Sequence, residues 1–286
     1  RYDWTEQVSN SLTDANNRAT LHRVTGSIDA STMLLLSLNN NVTDTSPTTP
    51  HTVTNTNVTF ATSPKFGSHK AYFNGTSAYL SANDNADFNF SGGAWTVECW
   101  INVDPLDAGY LYYQQDNTSN YMAISTTATG AVNLAIVAGG STVVNVSTSA
   151  GAIAIGAWKH MAVVESGDNY YIFINGVLSG SSVDTDRPAN YTVTVYIGAD
   201  AEAGNLFIGN VDEYRVSNIA RCTSAFESPT QAYGDFGVTS LYVRSMIPAS
   251  GAKFYVGTAN ATATTAAAFE WIGTGWSGVS SLSDGT

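Results

Sequence analysis

Charge is the first thing that this sequence lacks. Only 12% of its 286 residues are charged, about half the fraction of an ordinary soluble domain, and 11 lysines and arginines stand against 23 aspartates and glutamates. The net charge of −12 repels phosphate backbones and anionic membranes, so we expect no nucleic-acid partner and no membrane insertion. Neutral ligands, cations and other proteins remain as partners.

Long apolar runs and cysteines are also scarce. The run MLLLSL at 33–38 is far shorter than the ~18 apolar residues of a transmembrane helix. Cys99 and Cys222 either form one bridge or serve as two small apolar residues, and neither alternative makes a disulfide framework. The fold must therefore depend on a hydrophobic core, for which 43% hydrophobic and 11% aromatic residues are sufficient.

Helical periodicity is nearly absent as well. Apolar runs of about four to eight residues recur instead, each followed by turn residues, which is typical of an antiparallel sandwich or barrel. Asn175-Gly176 and the stretch 166–169 have the residues that hairpin turns prefer, because both can adopt positive φ. The predicted strands are 32–38, 57–60, 71–73, 78–81, 95–103, 109–114, 121–125, 132–137, 142–147, 159–166, 170–174, 193–198 and 209–216.

The chain divides into three regions by composition. Residues 1–29 are polar and form a predicted N-terminal arm, with a short helix around 5–16. Residues 30–233 contain the series of strands and turns and form the predicted sandwich. Residues 234–286 contain the strand-like runs SLYVRSM, KFYVG and FEWIGTGW around a low-complexity ANATATTAAA, and form a predicted small β-rich appendage.

Several runs within 30–233 carry a family resemblance. In this order, MLLLSLNNNVTDTS, KFGSHKAYFNGTSAYLSA, AWTVECWINV, GAWKHMAVVESGDNYYIFINGVL, VYIGAD and GNVDEYRVSNIARCTSAF resemble the laminin-G-like and pentraxin-like branch of the concanavalin A-like lectin/glucanase superfamily. The resemblance implies an all-β, two-sheet antiparallel jelly-roll sandwich. The closing run DEYRVSNIARCTSAFESPT is further similar to the form of this domain in tailed-phage virion proteins, which implies a virion surface or another extracellular location.

Enzymatic activity is not expected. Glycosidases of this fold place paired carboxylates on one face of a strand. The nearest candidates here are Glu98 alone and Asp212 beside Glu213, and adjacent strand residues point to opposite faces. His160 follows Trp158 as in a structural strand start of the family, and the sequence has no phosphate loop and no Cys/His metal cluster.

Two loops carry the candidate binding residues. The resemblance to pentraxin-like domains implies calcium ligands at Asp116 and Asn117 in one loop and at Asp200 and Glu202 in another. Tyrosines flank the Asp116 loop, and flat rings stack on the apolar face of a sugar. Because strand residues alternate between core and surface, we expect Tyr112 or Tyr113 to be available to such a ligand, with Asp116 and Asn117 beside it.

The sequence therefore predicts a non-enzymatic adhesion or structural protein. The leading hypothesis is a phage tail-fibre, spike or capsid-decorating protein that presents a lectin-like domain to host-surface glycans, with calcium as its one candidate cofactor. Its other partners would be virion proteins or copies of itself, as a homo-oligomer. A purely structural self-assembling subunit and a secreted cellular lectin or adhesin are the alternatives, because this fold serves many functions.

Overall fold

Strands make up nearly all regular structure of the computed structural model, which describes residues 28–234 and four short strands outside that range. The outer strands are β1 (Thr20–Leu21), β17 (Val243–Arg244), β18 (Phe269–Trp271) and β19 (Trp276–Gly278). The others are β2 (Thr32–Leu36), β3 (Val53–Thr56), β4 (Thr59–Ala61), β5 (Lys70–Asn74), β6 (Tyr79–Ala82), β7 (Trp95–Asn102), β8 (Gly109–Asn117), β9 (Asn120–Thr126), β10 (Val132–Ala138), β11 (Ser141–Ser147), β12 (Lys159–Ser166), β13 (Asn169–Ile174), β14 (Val177–Val183), β15 (Val195–Ile197) and β16 (Ile208–Ser217). A 3-10 helix covers Ala86–Phe88, and no described helix is long and apolar enough to cross a membrane.

Two antiparallel sheets form a sandwich, which confirms the predicted all-β jelly roll. One sheet has seven strands in the order β11-β10-β9-β8-β15-β6-β3. The other has eight, in the order β14-β13-β12-β7-β16-β5-β4 with β2 paired to β16. One large core cluster lies between them and draws side chains from both sheets, among them Leu34, Leu80, Trp95 and Ile172. Because side chains alternate along each strand, every second residue enters this core from the inner face of its sheet.

The hairpins follow from the turn chemistry. Asn175 and Gly176 both have positive φ (50° and 74°), so the tight turn joins Ile174 directly to Val177 as the sequence predicts. Gly176 is needed for a second reason. A Cβ at this position would lie 1.9 Å from the carbonyl oxygen of Phe226, whose own N–H donates to the Gly176 carbonyl.

The strand prediction has two gaps. It omits β3, whose sequence VTNT is mostly polar and half exposed, and it gives no bounds for β14, whose sequence VLSGSSV has little apolar alternation. Both are the outermost strands of their sheets, where few side chains enter the core. The predicted helix at 5–16 and the run KFYVG lie outside the described residues.

Loop 218–234 covers the outer face of the eight-stranded sheet. Phe226 packs against Phe173 and His160 there, at centroid distances of 5.5 and 5.8 Å. Beside them the fully buried guanidinium of Arg215 contacts the Glu98 carboxylate at 2.7 Å. Burial alone would raise the pKa of Glu98, but the Arg215 charge and a hydrogen bond with His160 lower it to about 2.

Cys99 is a free thiol in the core of the sandwich. No disulfide therefore joins it to Cys222, and of the two alternatives for the cysteines the structure forms the one in which Cys99 serves as a small apolar core residue.

The chain forms two compact units. Residues 23–240 make up the unit that contains the sandwich, and residues 1–22 cluster with residues 241–286 in the other. In this second unit β1 pairs antiparallel with β17, and β18 pairs with β19. The predicted N-terminal arm and the predicted C-terminal appendage thus each contribute one strand of a shared pair.

Asp212 provides a test of the buried charges in this fold. Its carboxylate is fully buried on β16 and accepts hydrogen bonds from the backbone N–H groups of Lys65 and Phe66 at 2.8 and 3.0 Å. Burial raises its pKa to about 6, although these two hydrogen bonds oppose the rise. Because the folded pKa lies above the unfolded value, Asp212 stabilises the fold below that unfolded value and loses this contribution as pH rises through about 6.

We therefore expect Asp212→Asn to remove part of the pH dependence of stability. The amide keeps one oxygen for the two N–H donors but does not ionise. Between about pH 5 and about pH 8 the parent should lose on the order of 1 kcal/mol of unfolding free energy that the variant keeps. Urea unfolding measures the difference, with the exposed Asp186→Asn as control. Parallel pH profiles of parent and Asp212→Asn would contradict the assignment.

Candidate functional site

The outer face of the seven-stranded sheet carries a group of tyrosines that we call the tyrosine row. Its members are Tyr79 on β6, Tyr196 on β15, Tyr110 and Tyr113 on β8, and Tyr121 on β9. These four strands are neighbours in the sheet, so the row spans roughly 14 Å at ~4.8 Å per strand. Four of the rings are partly exposed, and Tyr113, at 6% exposure, packs between Tyr110 and Tyr121.

Contacts between the rings fix their positions. The centroids of Tyr110 and Tyr113 are 4.8 Å apart, and Tyr113 stacks on Tyr121 at 5.5 Å. Tyr196 lies directly opposite Tyr113 in the strand register and contacts Tyr79 at 5.9 Å. Such pairs each stabilise their arrangement by about 0.5–1.5 kcal/mol, so the row is a preorganised aromatic surface.

Strand alternation explains why these tyrosines point outward. Val195 and Ile197 are core residues, which places Tyr196 between them on the opposite face. Leu80 in the same way turns Tyr79 outward. On β8 both Leu111 and Tyr112 lie in the core, and a register shift between Tyr110 and Tyr112 brings Tyr110 to the same side as Tyr113.

The hydroxyls of Tyr110 and Tyr113 are protonated at neutral pH. Burial, together with the charges of Tyr121 and Asp200, raises the pKa of Tyr110 above its ordinary value. Burial and the neighbours Tyr110 and Asp200 raise the pKa of Tyr113 further. The Tyr113 hydroxyl donates a hydrogen bond to Gln115 Oε1 at 2.6 Å, which aligns an amide with the aromatic surface.

The Asp200 loop lies beside Tyr110, near the start of β8. The Asp200 carboxylate accepts the N–H of Glu202 at 3.1 Å, the N–H of Gly204 at 2.6 Å and the amide of Asn205 at 2.8 Å. The backbone carbonyl of Asn205 in turn accepts a hydrogen bond from the backbone N–H of Tyr110, which connects the loop to β8. Asp200 is therefore mainly a structural residue of the loop, whereas Glu202 is exposed beside the row.

Asp116 and Asn117 lie at the opposite end of β8. Asp116 Oδ1 accepts the N–H of Thr192, just before β15, at 3.3 Å. Asn117 Oδ1 accepts the N–H of Ser119 at 2.9 Å in the β8–β9 turn. Both side chains are exposed, as a ligand-binding role requires, and they remain candidates there.

The four residues predicted to hold calcium do not meet. β15 runs antiparallel to β8 with Val195 opposite Gln114, so the chain after β15 travels away from Asp116 toward Gly109. Asp116 and the Asp200 loop are thus separated by about six residues of strand, roughly 20 Å, whereas calcium ligands lie within ~2.6 Å of the ion. Within the described part of the chain no group of three or more His, Cys, Asp and Glu residues is suited to a metal ion.

Of the two predicted tyrosines, Tyr112 is on the wrong side of the sheet for a ligand. It is fully buried in the core, where its hydroxyl donates to Gln114 Oε1 at 3.0 Å. Tyr113 does face outward, within the tyrosine row. The prediction assigned one of the pair to the surface, and the shift in β8 register decides which one.

Sequence reasoning missed Tyr79 and Tyr196. Each stands next to or between core residues in a short apolar strand, in AYLSA and VYIGA, so alternation alone could have placed both on the outer face. Alternation could not predict that the two side chains lie close to Tyr113. That proximity requires β15 to insert between β6 and β8, which joins strands more than 80 residues apart in sequence.

Two packed antiparallel sheets with this strand order form a jelly-roll sandwich. The chain belongs to the concanavalin A-like lectin/glucanases superfamily, whose laminin-G profile matches residues 74–224, more than half of its length. This match confirms the resemblance found in residues 30–233. No curated protein sequence is significantly similar to the chain.

Solved structures share the fold at low sequence identity. The binding domain of Paraclostridial Mosquitocidal Protein 1 aligns with a TM-score of 0.55 and 15% identity over 66% of this chain and 49% of its own. The binding domain of Botulinum Neurotoxin DC, solved in complex with SialylT, aligns with a TM-score of 0.52 and 15% identity over 66% of this chain and 48% of its own. Domain 4 of AbnA is part of a GH43 extracellular arabinanase from Geobacillus stearothermophilus and was solved with arabinotriose. It aligns with a TM-score of 0.52 and 17% identity over 72% of this chain and 98% of its own. The chain thus spans about half the length of the toxin domains and nearly all of the arabinanase domain.

Asp200 provides a test of the loop that borders the row. We expect Asp200→Ala to lower the unfolding free energy by about 1–3 kcal/mol, because three donors lose their acceptor. Urea unfolding measures the loss. The neighbouring Glu202→Ala serves as the matched control and should change stability by less than about 0.5 kcal/mol, since its side chain is exposed. Equal effects of the two substitutions would show that Asp200 does not hold the loop.

Proposed function

We propose that this chain is a non-catalytic carbohydrate-binding module whose binding surface is the tyrosine row. The supporting observation is the row itself, a preorganised aromatic surface on the outer face of the sheet with an amide, Gln115, aligned beside it. Aromatic rings stack on the apolar face of a sugar, while amides, carboxylates and tyrosine hydroxyls bind its hydroxyl groups. That domain 4 of the arabinanase was solved with arabinotriose agrees with such a role.

The positions of the carboxylates support the non-catalytic part of the proposal. Glu98 is 2% exposed and bound by Arg215, and Asp212 is fully buried against backbone N–H groups. Neither can reach a glycosidic bond at the tyrosine row, because both belong to the eight-stranded sheet. A glycosidase needs two carboxylates about 5–9.5 Å apart on either side of the substrate. Asp116 and the Asp200 loop, roughly 20 Å apart, do not meet that requirement.

The proposed setting is the outside of a phage-like particle, as a tail-fibre, spike or decoration protein. The similarity of DEYRVSNIARCTSAFESPT to tailed-phage virion domains supports it, and so does a lysine-poor composition rich in Thr, Ser and Asn. Attachment to the particle would use the chain outside residues 23–240 and leave the tyrosine row directed to host glycans. Many copies on one particle would raise a weak individual affinity through multivalency.

Substitution of the row tests the binding function. We expect Tyr196→Ala and Tyr121→Ala each to weaken binding to a glycan found on an array about tenfold or more, ~1.4 kcal/mol, because each removes a stacking ring. Calorimetric titration measures the change. Tyr72→Ala is the matched control, since Tyr72 is 37% exposed on β5 of the other sheet. An equal loss from Tyr72→Ala, or no loss from the row variants, would refute the assignment.

A structural, self-assembling subunit is the second candidate function, and the β14 edge favours it. β14 is the last strand of the eight-stranded sheet, and its sequence VLSGSSV contains no charge. Val177, Leu178 and Val183 are 62%, 45% and 76% exposed there. Exposed edge strands usually carry charges that prevent pairing, so an uncharged apolar edge suits a second copy of the chain.

Light scattering tests this second function. If β14 is the contact, the parent should assemble into a homo-oligomer, and Leu178→Lys with Val183→Lys should reduce it to monomers without loss of folding. The charge on each lysine would have to be buried in the contact, which is costly. Ile155→Lys, at another exposed apolar position, is the control. A monomeric parent would contradict the assembly role.

A further inference from the structure

Positive charge is segregated to one side of the sandwich. None of the seven strands of the tyrosine-row sheet contains a lysine or arginine, and Asp116 is their one charged residue. Outside the four short strands, the described cations are Lys65, Lys70, Lys159, Arg187, Arg215 and Arg221. Lys70, Lys159 and Arg215 are on strands of the eight-stranded sheet.

The other three cations contact the eight-stranded sheet as well. Lys65 lies 4.0 Å above the ring of Trp100 on β7. Arg187 pairs with Glu165 on β12 at 2.8 Å. Arg221 donates to Ser217 on β16 at 2.8 Å. Each cation of residues 28–234 therefore belongs to the sheet that does not carry the row.

Negative charge, in contrast, lies close to the row. The Asp200 carboxylate is near enough to Tyr110 and Tyr113 to raise the pKa of both, and Glu202 acts on Tyr113 in the same direction. Asp116 lies at the other end of β8. A ligand on the row therefore meets hydroxyls, amides and carboxylates, and no cation from residues 28–234.

We propose that the tyrosine row selects neutral glycans and rejects glycans that carry sialic acid, uronic acid or sulfate groups. This inference rests on the proposed carbohydrate-binding function and specifies its ligand class. A neutral sugar is complementary to this surface because its hydroxyls donate hydrogen bonds to the carboxylates while its apolar face stacks on the rings. An anionic sugar would place its charge beside Glu202 with no cation of residues 28–234 to pair with it, and such repulsion is an effective way to exclude a ligand.

An array of matched glycan pairs tests the selection. The two members of each pair share one core and differ only by a terminal sialic acid or a sulfate. We expect the neutral members to bind and their anionic partners to bind about tenfold or more weakly at low ionic strength, with a smaller difference in high salt. Equal or tighter binding of anionic members overturns the inference and leaves the proposed function standing. Absence of binding across the whole array overturns both.

A charge reversal locates the cause of the selection. Glu202→Lys should lower the ratio of neutral to anionic affinity several-fold, because it places a cation beside the row. Asp186→Lys makes the same change in net charge on an exposed loop that contacts Tyr170 of β13, in the other sheet, and should leave the ratio unchanged. If both variants change the ratio equally, the selection comes from the net charge of −12 and not from the row, which refutes the inference.

Discussion

The insertion of β15 between β6 and β8 is the constraint on which the candidate site depends. This strand has only three residues, and its two core side chains leave Tyr196 no position except the outer face. Its antiparallel register places Tyr196 opposite Tyr113 and joins the tyrosines of β6 to those of β8 and β9. The same register directs the chain after β15 away from Asp116. This arrangement of β15 therefore brings the tyrosines together but keeps the predicted calcium ligands apart.

The two outer faces of the sandwich have different physical roles. The eight-stranded sheet buries charge beneath loop 218–234, where Arg215, Glu98 and His160 lie almost without exposure to water. Such a buried pair contributes little net stability, but removing one partner leaves an uncompensated charge, so it fixes one arrangement of the loop. The seven-stranded sheet has no comparable charges and leaves partly exposed tyrosines. Loop 218–234 covers the outer face of one sheet, whereas the tyrosines on the other sheet remain partly exposed at the proposed binding surface.

Much of the fold could be predicted from residue pattern. Period-two alternation and Asn-Gly turns located nearly all strands of the sandwich, and the order of the runs indicated the superfamily. The prediction failed where these signals are weak, at the polar β3 and the serine-rich β14, because the edges of a sheet place few side chains in the core. The site was harder to predict. Asp116 was placed at the surface correctly, but Tyr112 proved to be a core residue because a register shift in β8 changes the alternation.

Pattern and composition alone establish that this chain forms an antiparallel sandwich with an acidic, hydroxyl-rich and lysine-poor surface. These properties follow from local pattern and composition, which act between residues close in sequence. The strand order of the folded sheet, in contrast, brings Tyr79, Tyr196 and Tyr113 side by side and places Asp116 and the Asp200 loop near opposite ends of β8. Strand order in a sheet is set by the packing of all its members, and no local signal carries that information.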